Sequence, residues 1–132
     1  MKKVIFILAL IIGFTNITFS VEDIISEVVD IKFAKEIKNK EPVDISNIFP
    51  NDIKKVYCWT KIKAFKVPTY IIHEWYYKDK KMASVKLSIT YPLFRTWSSK
   101  RIIPSWTGNW KVIIKDENGN IIATKSFLIQ EK

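Results

Sequence analysis

Apolar and polar side chains take turns along most of this chain with a period of two. Val29, Ile31 and Phe33 are separated by Asp30 and Lys32, and Val85, Leu87 and Ile89 by Lys86 and Ser88. Trp110, Val112 and Ile114 likewise share one parity. A helix repeats its faces every 3.6 residues and a strand every two, so this rhythm demands sheets with one wet and one dry side. The chain is therefore expected to be all-β.

Turn signals divide the rhythm into seven strands, near residues 28–34, 54–62, 69–77, 82–90, 94–100, 109–115 and 121–129. The stretch "KNKEPVDISNIFPND" between the first two is polar and contains Pro42 and Pro50, and reads as a long connection. Pro68, Pro92 and Pro104 mark further links, and Asn118-Gly119 is a hairpin signal. A helical turn is expected at Glu22–Ile25. Seven short strands at this spacing imply an antiparallel β-sandwich of immunoglobulin-like size. Beyond residue 20 only Gly108 and Gly119 occur, which excludes glycine-rich phosphate-binding loops. "DENGN" is a fragment of a calcium loop at most, and reads as a plain turn.

The first twenty residues have another character. Lys2 and Lys3 precede an apolar run from Val4 to Phe14, followed by small residues Thr18 and Ser20. This is the pattern of a secretory leader cleaved after Ser20. The run is too short to span a bilayer comfortably, so membrane contact is expected only through this segment if it stays uncleaved. Residues 21–132 then form a single domain, exported to the periplasm or the medium. That part holds twenty basic and thirteen acidic residues, a net charge of +7. Such a surface attracts anions, and export sets nucleic acid aside as a partner.

Reactive side chains are few. Cys58 is the only cysteine, lies in an apolar run and reads as a buried, inert thiol. His73 is the only histidine. Its face depends on the register of the hairpin that follows. A two-residue turn at Asp79-Lys80 would put Glu74 on the apolar face. A three-residue turn, Asp79 to Lys81, puts His73 and Trp75 opposite Leu87 and Val85 and sets Glu74 against Lys86. The second avoids an unpaired buried carboxylate and is preferred. His73 then needs a hydrogen-bond partner at the rim of the core. No metal or cofactor site is expected, since one histidine and one cysteine lack companion ligands.

"RTWSSKR" holds both arginines of a chain that otherwise uses twenty lysines. Arginine offers a planar fork of donors, which lysine cannot imitate. Arg95 and Trp97 fall on one face of their strand with Ser99 and Arg101, and Ser98 and Lys100 on the other. Arg95 either fixes the strand structurally or joins Ser98 and Lys100 in an anion-binding patch floored by Trp97 or Trp106. Of the five tryptophans, Trp59, Trp75 and Trp110 read as core, and Trp106 as the exposed one.

"FPNDIKKVYCWT", "HEWYY", "RTWSSK" and "GNWKVIIKDENGNII", in that order, resemble the bacterial family known as domain of unknown function 2914, from about Val29 to Ile129. The resemblance implies an envelope-associated β-rich domain and supplies no reaction or ligand. The expected function is thus a non-catalytic binding module of the cell envelope. Its partner would be an anionic polymer or another envelope protein, bound by Arg95, Trp97, Ser98 and Lys100 with His73 and Trp75 in support. The alternatives are a carbohydrate binder using exposed tryptophans and a hydrolase using His73.

Overall fold

The computed structural model describes residues 23–132, and all regular structure there is strand. The expected leader and its cleavage point lie outside the described residues. Nine strands form: β1 (Ile25–Lys38), β2 (Glu41–Ile45), β3 (Ile48–Pro50), β4 (Lys55–Ala64), β5 (Thr69–Tyr77), β6 (Lys80–Ile89), β7 (Leu93–Arg101), β8 (Gly108–Asp116) and β9 (Ile121–Gln130). One sheet has the order β2-β1-β4-β7, the other β3-β9-β8-β5-β6. They face each other as a sandwich over one apolar core. β1 begins at Ile25 without the helical turn expected at Glu22–Ile25, of which Glu22 lies outside the described residues.

All seven expected strands are present, and two more come from the stretch read as a connection. Pro42 lies in β2 and Pro50 ends β3, and each of these strands is a sheet edge. Proline removes one ladder donor, which an edge tolerates. β3 also runs parallel to β9, so the second sheet is mixed rather than wholly antiparallel.

Two tight hairpins use residues in the left-handed region in place of glycine. Asn39 and Lys40, with φ of 52° and 65°, join β1 to β2; Lys78 and Asp79, at 46° and 66°, join β5 to β6. Such two-residue turns match the twist of paired strands. The β5–β6 turn is therefore shorter than the expected Asp79–Lys81, and Met82 forms a bulge beyond it. Together these preserve the preferred faces while moving the pairing by two residues: His73 stands opposite Val85, Trp75 opposite Ala83 and Glu74 opposite Ser84. Glu74 finds its cations elsewhere, in Lys81 and Lys115, each at 3.1 Å. A bulge in β1 likewise turns Val29 outward, while Ile31 and Phe33 stay inward.

Phe127 sits at the centre of the core. Its ring meets Phe33 at 4.6 Å, Phe49 and Trp75 at 6.1 Å and Trp110 at 5.9 Å between centroids. Phe33 comes from the first sheet and the others from the second, so this cluster is where the sheets are held together. Fully burying one such side chain contributes roughly 1.5–3 kcal/mol. Residues 23–132 supply both sheets and the apolar core between them.

Candidate functional site

Alternation along β7 separates the residues of "RTWSSKR". Phe94, Thr96, Ser98 and Lys100 point toward the opposite sheet, whereas Arg95, Trp97, Ser99 and Arg101 point away. The faces are those expected, and together with position along the strand they divide the six candidate residues among three places. His73, Trp75 and Ser98 meet in the interior. Arg95 and Trp97 share the outer face of the first sheet. Lys100 lies five positions from Arg95, roughly 16 Å along an extended strand, and stands at the far end of the sandwich.

The interior group is a directed chain of hydrogen bonds between the sheets. Thr60 Oγ1 donates to the Thr96 carbonyl at 2.8 Å, which uses its only proton. Its contact with His73 Nε2, at 3.3 Å, must then be donated by the imidazole. His73 Nδ1 is left as an acceptor, filled by the Ser98 hydroxyl at 2.6 Å. Ser98 Oγ in turn accepts the indole N–H of Trp75 at 3.0 Å. Burial pushes the His73 pKa down to about 3, so the ring stays neutral and this single tautomer holds. Among the described residues, no buried side-chain polar atom is left without a partner.

A serine 2.6 Å from an imidazole has the spacing of a nucleophile and its base. Here His73 is 0 % exposed, and the group behind the ring is the hydroxyl of Thr60 rather than a carboxylate. A substrate would reach it only by parting the sheets. What the arrangement does, as it stands, is fix the register of β5 against β4 and β7.

The outer face has a different chemistry. Outward positions of β4 and β7 pair directly: Lys55 with Arg101, Tyr57 with Ser99, Trp59 with Trp97, Lys61 with Arg95 and Lys63 with Leu93. Those ten positions carry five cations, three aromatic rings and no acid. Lys55 Nζ lies 5.8 Å from the centre of the Tyr57 ring. Trp97 is partly exposed and borders a groove of about 450 Å³ with Arg95, Lys40 and Tyr91.

Trp59, expected in the core, is indeed buried, at 4 % exposure, but on this outer face. The β1–β2 hairpin covers it. The indole N–H of Trp59 donates to the Lys40 carbonyl at 2.8 Å, and Arg95 Nη1 donates to Glu41 Oε2 at 2.5 Å. β2 lies three places from β7 in the sheet, so these contacts require the hairpin tip to bend across the outer face. Lys40, Glu41 and Lys61 carry no motif in the sequence, and Trp59 reads there as core rather than as part of this face. Their local signal is the stripe Lys55-Tyr57-Trp59-Lys61-Lys63, legible once its tryptophan is assigned to the wet side.

Trp106 is not the open ring its loop position suggested. It packs against Tyr77 and Trp110, with centroids at 6.3 and 5.8 Å, and Lys100 Nζ lies 5.2 Å over it. The "DENGN" turn uses its acid internally: Asp116 Oδ1 accepts the backbone N–H groups of Asn118 and Asn120, both at 2.9 Å. Among the described residues no cluster of three or more histidine, cysteine or acidic side chains is placed to hold a metal.

Residues 68–129 match a family whose description reads "Protein of unknown function (DUF2914)". The match takes in "HEWYY", "RTWSSK" and "GNWKVIIKDENGNII", and leaves "FPNDIKKVYCWT" outside. No curated protein matches the chain.

Proposed function

Given that residues 68–129 match the DUF2914 family, whose description gives no function, we propose from the chain's own surface that it is a non-catalytic module binding an anionic polymer on the outer face of β4 and β7. The observation that carries this reading is the cluster of Lys55, Lys61, Lys63, Arg95 and Arg101 with Tyr57 and Trp97 on the outer positions of β4 and β7, five cations against the three acids that neighbour them, Glu41 on Arg95, Asp30 opposite Lys61 and Glu27 opposite Lys63. Closely spaced cations on a rigid sheet sum their attraction for a chain of negative groups, and the rings give it an apolar surface to lie on. Arg95 adds a fork suited to phosphate or carboxylate.

The secretory pattern of residues 1–20 supports a place in the cell envelope, periplasmic or extracellular, which favours an anionic polymer over nucleic acid as the partner. The outer face of the second sheet also carries cations, and there they are engaged by rings and by one buried acid. There Lys86 and Lys111 lie over Tyr70 and Tyr76, at 4.2 and 5.4 Å, and Lys81 and Lys115 are held by Glu74.

The test is titration of residues 23–132 with soluble glycerol-phosphate polymer and with polyglutamate, followed by Trp fluorescence at two salt concentrations. Binding weakened by salt is expected, with about a tenfold loss of affinity in Arg95→Ala. Absence of binding at low salt, or equal affinity in Arg95→Ala and Trp97→Ala, overturns the reading.

A further inference from the structure

Among the described residues, six of the nine large apolar side chains that are exposed lie at one end of the sandwich: Val29, Phe65, Val67, Tyr91, Leu93 and Ile121. This end is made by the start of β1 and the β4–β5, β6–β7 and β8–β9 loops. Phe65 is 66 % exposed, Tyr91 67 % and Leu93 57 %. They are held there by structure. Phe65 N–H donates to the Ile24 carbonyl and Ala64 N–H to the Pro92 carbonyl, both at 2.7 Å. Tyr91 stacks on Phe94 at 6.3 Å. Phe65, Leu93, Val29 and Pro92 line a shallow cavity of about 370 Å³, bordered by Lys61 and Lys63.

Two loops, one tied to the residue before β1 and the other to the end of β4, still present large apolar side chains to solvent and invite a partner that accepts such groups. The chain itself indicates which partner. Its apolar run, Val4 to Phe14, ends nine positions before Asp23, and Asp23 lies at this same end beside Asn120 and Ile121. Nine residues reach at most about 30 Å. While the run is in a bilayer, this end of the domain is the one that faces the lipid. Aromatic and apolar side chains flanked by lysines are what a headgroup region receives.

We propose that this end of the sandwich docks on a lipid bilayer surface, with Phe65, Tyr91 and Leu93 entering the headgroup layer. The contact is mainly apolar. Lys61 and Lys63 face phosphate, but Glu27 is paired opposite Lys63 in the sheet, and Asp23 and Glu117 stand nearby, so charge adds little. Lys61, Lys63 and Tyr91 border both this end and the polymer face, and Arg95 and Trp97 belong to the polymer face alone.

Flotation of residues 23–132 with phosphatidylcholine vesicles, alone and mixed with phosphatidylglycerol, tests it. Wild-type protein is expected to float with both, and the triple variant Phe65→Ser, Tyr91→Ser, Leu93→Ser to partition at least about tenfold less, at an unchanged melting temperature. Arg95→Ala should float like wild type. No flotation of the wild type, or equal flotation of the triple variant, overturns the proposal. So does a dimer in sedimentation that the triple variant disperses while neither protein floats. A full-length chain that the same substitutions destabilise, again without flotation, would mean that residues 1–22 cover the patch, and equally overturns it.

Discussion

His73 carries its one proton on Nε2 because Thr60 has already donated its own to a carbonyl. The unfolded imidazole titrates near 6.5 and the folded one near 3. The unfolded chain therefore binds more protons between those values, and stability must fall as pH drops through that window. It is fully present above about 6.5 and is lost toward 3, at up to about 1.4 kcal/mol per pH unit. Urea midpoints at pH 7 and pH 5 should differ in the wild type and converge in His73→Gln. Ser98 matters for another reason. Ser98→Ala leaves His73 Nδ1 and the Trp75 indole N–H without partners inside the core, and should lower unfolding free energy by about 2–5 kcal/mol. The need for such a partner was legible from the parity of strand β5. Its identity was not, because Ser98 and Thr60 come from the other sheet and only tertiary packing brings them within reach.

The β1–β2 hairpin is the element the sequence concealed. Its polar composition and Pro42 read as a connection, since a short edge strand has no buried face to write an alternating pattern. Yet its tip decides how much of the outer face is open: Lys40 covers Trp59, and Glu41 occupies Arg95. Glu41→Gln should raise affinity for an anionic polymer up to about fivefold and leave the melting curve nearly unchanged, because an exposed pair contributes at most about 1 kcal/mol. Titration beside the wild type would show it. Bulges were the other hidden feature. Val29 fits the rhythm of its strand perfectly well on paper, and one extra residue in β1 sends it to the surface.

Across the whole molecule, the segment 68–129 comprises β5 to β9, hence most of one sheet but a single strand of the other. Expressed alone it would leave Phe127 without Phe33 and Phe49, and His73 without Thr60. It is expected to show no cooperative melting by circular dichroism, where residues 23–132 melt in one transition. Sheet class and core faces were readable because burial imposes period two on every long strand. The candidate surface was readable only in part, since Arg95 and Trp97 announce themselves while their neighbours on β4 are set by register. Cys58 adds a last consequence. Its sulfur is fully enclosed between the sheets, and burial pushes the thiol well above its ordinary pKa. In an oxidising compartment a solitary thiol invites cross-linking between copies, and here that chemistry is deferred for as long as the sheets stay together. A covalent pair of these chains would be the fossil of molecules that had once come apart.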